Sequence, residues 1–120
     1  MIRVLLFCLA VIAAACGPSL AAERFVSVIE DLPLMDGLVE NENAAVTFET
    51  AGGRIAEAEA RGNVGPDRAR QFYQSVLPQL GWTQLESGLY QRDGERLKLV
   101  IEGAGKIGVV VGFSLSPQGK

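Results

Sequence analysis

Histidine is absent from this chain, and its only two cysteines, Cys8 and Cys16, fall within the first sixteen of 120 residues. Without histidine the usual general base and the commonest neutral-pH metal ligand are missing. Nucleophile–base pairs of the Ser–His or Cys–His kind cannot be assembled. Bases are outnumbered as well: eleven Lys and Arg stand against fourteen Asp and Glu, and none of them cluster densely enough to form a nucleic-acid face. After residue 15 no stretch approaches the ~20 apolar residues of a membrane-spanning helix.

What is present begins with a targeting signal. Arg3 precedes the apolar run Val4–Ala15, which ends in Cys16-Gly17-Pro18-Ser19-Leu20-Ala21-Ala22, with small residues at −3 and −1 of a cut after Ala21. That layout describes a secretory signal peptide. Residues 1–21 are expected to be removed, leaving a 99-residue product that begins at Ala22, has neither cysteine nor histidine, and is periplasmic or secreted. A second cut competes. Ala13-Ala14-Ala15-Cys16-Gly17 resembles a bacterial lipobox, in which Cys16 becomes a lipidated N-terminus and the product a membrane-anchored lipoprotein. Ala13 stands where leucine is usual, so the soluble product is preferred, and anchoring is expected only by the Cys16 route.

A chain of this length forms one core, which must supply the stability without disulfide or metal. Residues 22–44 read as an irregular acidic lead-in, too apolar at Leu32, Leu34, Met35, Leu38 and Val39 to be a free linker. Phe25–Ile29 within it is a short strand candidate. From Glu23 to Glu49 seven acids face the single base Arg24, whereas Arg54–Lys120 holds nine bases and seven acids. The lead-in is therefore expected to lie against the weakly basic remainder, residues 45–115 being the folded domain and 116–120 a polar tail.

Within that domain Ala45–Glu49 predicts a strand with Val46 and Phe48 on one face. Arg54–Arg61 predicts a second strand, whose alternation of Ala56, Ala58 and Ala60 with Glu57 and Glu59 is written in helix-favouring residues and leaves its register open. Pro66 suits the first position of a helix, and Ala69, Phe72, Tyr73, Val76, Leu77 and Leu80 make one apolar stripe centred on Phe72. Pro78 is expected to kink the last turn and Gly81 to end it. Asp93-Gly94 signals a type I′ hairpin, which sets Arg92 opposite Glu95 and Tyr90 opposite Leu97. One face of the meander then carries Tyr90, Leu97, Leu99, Ile101, Val109, Val111, Phe113 and Leu115, against which the helix packs. The other face is mixed, partly basic, and bare at Gly108 and Gly112.

Few residues offer chemistry. Glu57 and Glu59 project together, roughly 7 Å apart along a strand, but a working carboxylate pair needs one buried and one polar partner. Asp31, Asp36, Glu40 and Glu42 lack the spacing of a calcium loop. Gly103, Gly105 and Gly108 lie between antiparallel strands and not before a helix, so they read as turn geometry and not as a phosphate cradle. Trp82 is expected to pack over the helix end. The face around Arg96, Lys98, Gly108, Val110 and Gly112 is the better candidate for partner binding, because small strand residues let another backbone approach.

The segment Phe72-Tyr73-Gln74-Ser75-Val76-Leu77-Pro78-Gln79-Leu80-Gly81-Trp82, followed by a Tyr-Gln-Arg-Asp-Gly hairpin, resembles a pattern in small exported bacterial proteins of unknown function. The likeness covers roughly residues 30–115 and implies a compact α+β module without supplying a catalytic residue. The expected fold is thus a single α+β domain, one helix on one face of a small, mostly antiparallel sheet in the order β-β-α-β-β-β, with a fourth strand after the helix as the variant. The expected function is a non-catalytic binding or accessory module of the envelope, without cofactor or metal, whose partner is an envelope protein or peptide. The alternatives are a small carboxylate-based hydrolase or lyase, and a protein inhibitor presenting Gly103–Lys106.

Overall fold

The structure, a computed structural model, describes residues 24–106 and 108–118. The signal peptide of residues 1–21, the start at Ala22, the lipidation alternative at Cys16, and residues 107, 119 and 120 lie outside the described residues.

The chain forms β1 (Leu38–Glu40), a 3-10 turn (Glu42–Ala44), β2 (Val46–Thr50), β3 (Gly53–Gly62), α1 (Pro66–Gln79), β4 (Thr83–Glu86), β5 (Leu89–Arg92), β6 (Glu95–Ala104) and β7 (Gly108–Pro117). All seven strands join one antiparallel sheet in the order β1-β3-β7-β6-β5-β4, with β2 also paired to β3. β1 and β2 lie end to end along the same edge, opposite Ala60–Gly62 and Gly53–Glu57 respectively. The α+β class therefore holds, but the order β-β-α-β-β-β does not: three strands precede the helix and four follow it. The extra early strand is three residues long, too short for alternation to register, and it exists because β3 offers it an edge. Phe25–Ile29 is not a strand; only Phe25 bridges to Pro33, while the Val26 N–H donates to Leu32 O at 2.9 Å and rolls the segment into turns. The tail is shorter than expected, since β7 runs through Pro117.

Local signals explain the helix and the hairpins. Pro66 opens α1, and Gly81, at φ +91°, closes it: the Trp82 N–H donates to Leu77 O and the Gly81 N–H to Pro78 O, satisfying carbonyls the helix leaves free. Asp93 and Gly94 both adopt positive φ, and the pairs Arg92–Glu95 and Tyr90–Leu97 form as predicted.

The centre of the helix stripe is Tyr73, not Phe72. Ala69, Tyr73 and Leu77, four residues apart, are buried, whereas Phe72 lies one residue to the side and is half-buried, edge-on to Tyr73 at 4.9 Å. Tyr73 in turn meets Phe113 of β7 edge-on at 5.5 Å. Ala56, Ala58 and Ala60 face this same core, which settles the register of β3. Beside the helix lies the lead-in, with Val26, Ile29, Leu32 and Leu38 fully buried. The Tyr73 hydroxyl joins the two, donating to Pro33 O at 2.9 Å and accepting from the Met35 N–H at 3.3 Å. Helix and lead-in together cover one sheet face.

Candidate functional site

The register carries every strand's outward residues onto the opposite face in straight rows. One row reads Val46, Glu57, Ser114, Lys98 and Leu89, from β2 through β3, β7 and β6 to β5. The next reads Glu59, Gly112 and Val100, and the third Val39, Arg61, Val110 and Glu102. Among the described residues no element lies across these rows. Apolar side chains are consequently left in water: Val46 is 46 %, Phe48 51 % and Val100 44 % exposed. Charge alternates between them, with Glu59 and Arg61 paired at 3.0 Å along β3.

Four of the residues singled out from the sequence, Arg96, Lys98, Val110 and Gly112, share this face. Arg96 is half-buried at one end, and its Nε has no hydrogen-bond partner among the described residues. The fifth, Gly108, continues the same alternation at the start of β7, but there the glycine is structural: a Cβ would fall 2.4 Å from Ala104 O. Gly112 differs in kind. Its nearest neighbours, Val100 Cβ and O, would both lie 3.9 Å from an added Cβ, an ordinary contact, and its φ is not positive. Among the described residues, neither backbone conformation nor packing requires a glycine at this position in the middle of the sheet.

Sequence reasoning missed the contribution of β2 and β3 to this face. Val46 and Phe48 share one side as expected, but it is the open side, because Val46 pairs with Glu57 and Phe48 with Ile55 while Ala56 turns inward. The alternation of Glu57, Glu59 and Arg61 with alanines was the available signal.

On the covered face, ionic contacts draw the lead-in to the sheet. Arg92 donates from Nη1 and Nη2 to the two Asp31 carboxylate oxygens at 2.6 and 3.0 Å, and from Nη1 to Leu80 O at 2.9 Å. Its guanidinium lies 4.3 Å from the centre of the Trp82 ring, the buried indole that caps the helix end. The hydrogen bond from Arg92 holds the Asp31 carboxyl below the usual range and raises Arg92 itself. Arg54 approaches Glu30 at 3.8 Å and Glu95 at 4.0 Å beside them, around a cleft of about 380 Å³. The acidic lead-in thus meets the basic remainder as expected. A second cleft, about 270 Å³, opens between α1 and β5–β6, where burial raises the Tyr90 hydroxyl.

Asp31 and Glu40 are engaged by Arg92 and by the Ser27 backbone and hydroxyl. Among the described residues no group of three or more Asp or Glu side chains is placed to hold a metal ion, and no helix is long and apolar enough to cross a membrane. Comparisons with protein-family models, with curated proteins and with solved structures find no match to this chain.

Proposed function

We propose that this protein is a non-catalytic binding module of the cell envelope that takes a protein partner on the open face of its sheet. The observation that carries this reading is Gly112. Glycine in a strand interior weakens the strand by about 0.5–1 kcal/mol relative to alanine. Here a side chain would fit, and its absence leaves a shallow floor between exposed Val100 and the charges of β3. Close approach by another chain accounts for such a position. The exposed apolar side chains around it support the same use.

The other readings have less support. A hydrolase built on Glu57 and Glu59 needs an enclosed, unequal pair, and these stand on an open face with Glu59 tied to Arg61. An inhibitor needs a protruding loop, and Gly103–Lys106 is the tip of a hairpin in which Ala104 still pairs with Gly108.

Gly112→Arg tests the proposal in the protein purified from envelope fractions, with intact mass identifying the exported product. The variant is expected to melt within a few degrees of the parent and to lose its captured partner. A variant that folds normally and captures the same partner to the same extent overturns the open face as the site.

A further inference from the structure

Resting on that reading, we infer that the partner taken by the open face is a second copy of this chain, bound face to face about a twofold axis running along β7. Such an axis, midway between two sheets, exchanges the β3 side of one copy for the β6 side of the other. β7 is the strand between them.

Four charges on the face complement one another under this operation, while Glu59, tied to Arg61 of its own copy, faces Val100 of the second copy. In the first row Glu57 meets Lys98 of the second copy, and Lys98 meets Glu57 of the second copy, since both stand opposite Ser114, one strand to either side. In the third row the signs are reversed on both strands: Arg61 meets Glu102 of the second copy, both opposite Val110. Arg61 keeps donors for this while its Nε holds Glu59. Further out, Val46 meets Leu89 of the second copy, apolar against apolar. Along the axis itself lie Val110, Gly112 and Ser114, small enough for two sheets to approach to about 10 Å. This also gives the otherwise unrequired Gly112 its use.

Packed sheets cross at about 30°, so register is best kept near the axis, where the charge pairs are, and loosens outward. A twofold axis across the strands through Gly112 would pair Glu57 with Arg61 and Lys98 with Glu102 of the second copy, but it sets Glu59 against Glu59 there. The buried footprint is on the order of 500–800 Å² per copy, toward the small end for stable interfaces, so association should be weak and concentration-dependent.

Sedimentation of the exported protein over about three decades of concentration should show a monomer–dimer equilibrium. Glu57→Lys and Lys98→Glu, each alone, should raise the dimer Kd by about tenfold or more, because each creates like-charge pairs. An equimolar mixture of the two variants should recover the dimer, since every facing pair is then of opposite sign. The set Arg61→Glu and Glu102→Arg reads the other row in the same way if either first variant fails to fold. A protein that stays monomeric throughout, or a dimer indifferent to the swaps and their mixture, overturns the second copy as partner. Loss of a different captured envelope protein in Gly112→Arg would then leave the open-face reading standing, and unchanged capture would overturn both.

Discussion

Tyr73 does two jobs at once. Its ring fills the centre of the core against Phe113, and its hydroxyl is the hydrogen-bonding link between the helix and the lead-in backbone at Pro33 and Met35. Burial pushes its hydroxyl up to about 12, from an ordinary 10.0, because the phenolate would lose its water. The folded state therefore holds this proton more tightly than the unfolded chain does. The associated stability is complete below pH 10 and is lost as pH rises toward 12, a difference of about 2–3 kcal/mol. Tyr73→Phe should flatten that alkaline decline in urea titrations at several pH values, leaving a smaller slope from Tyr90, which burial also raises. At neutral pH the same variant should cost about 1–2 kcal/mol, since the Met35 N–H loses its partner. An alkaline decline as steep as the parent's would show that another group governs it. Asp31 works in the opposite direction: its lowered pKa stabilises the fold above the usual carboxylate range and is lost as pH falls, but the side chain is half exposed and the effect is below about 1 kcal/mol.

At the scale of elements, what was legible is what is local. The helix announces itself by Pro66, a 3.6-residue stripe and Gly81; the β5–β6 register follows from Asp93-Gly94 outward. Gly81 shows how much one local position carries. At φ +91° it lets the helix end with two capping bonds while Trp82 turns over the helix end beneath Arg92. Gly81→Ala should cost about 1 kcal/mol through the strained left-handed backbone, read as a lower thermal midpoint with an unchanged circular dichroism spectrum. An unchanged midpoint would mean the cap contributes little. By contrast, β1 depends on pairing with β3 residues more than about 20 positions away, as in Leu38 with Gly62, and the place of β3 beside β7 on pairing between residues about 50 apart, as in Ala58 with Phe113, and no neighbouring residue encodes either. The same division runs through the candidate site. Its β6–β7 half could be followed from the hairpin turn. Its β2–β3 half could not, because Ala-Glu alternation carries strand period in helix-favouring residues until a partner strand decides the matter. The shift of the stripe centre from Phe72 to Tyr73 has a similar origin, since the stripe is broad and only the lead-in shows which of two adjacent aromatics it covers.

Across the whole molecule, one sheet face has two covers of comparable weight. The helix supplies Ala69, Tyr73 and Leu77, and the lead-in supplies Val26, Ile29, Leu32 and Leu38, all in one continuous apolar cluster. The lead-in has little regular structure, and its backbone is held by short-range turns, by Tyr73 and by Arg92 through Asp31. Exposed ion pairs of that kind add little, so burial must hold the segment down. Leu32 is 0 % exposed, as is Leu77 on the helix. If both covers belong to the same cooperative unit, Leu32→Ala and Leu77→Ala should each cost about 2–5 kcal/mol, and tryptophan fluorescence and far-ultraviolet circular dichroism should report coincident transitions in both. A lead-in that merely rests on the domain would behave differently. Leu32→Ala would then cost less than about 1 kcal/mol, or Trp82 fluorescence would change ahead of the sheet signal as the lead-in, anchored to Arg92 beside that indole, came away first. Coincident transitions would mean that the open face, with its Gly112 floor and its reversed charge rows, is presented by a scaffold whose two covers hold or fail together.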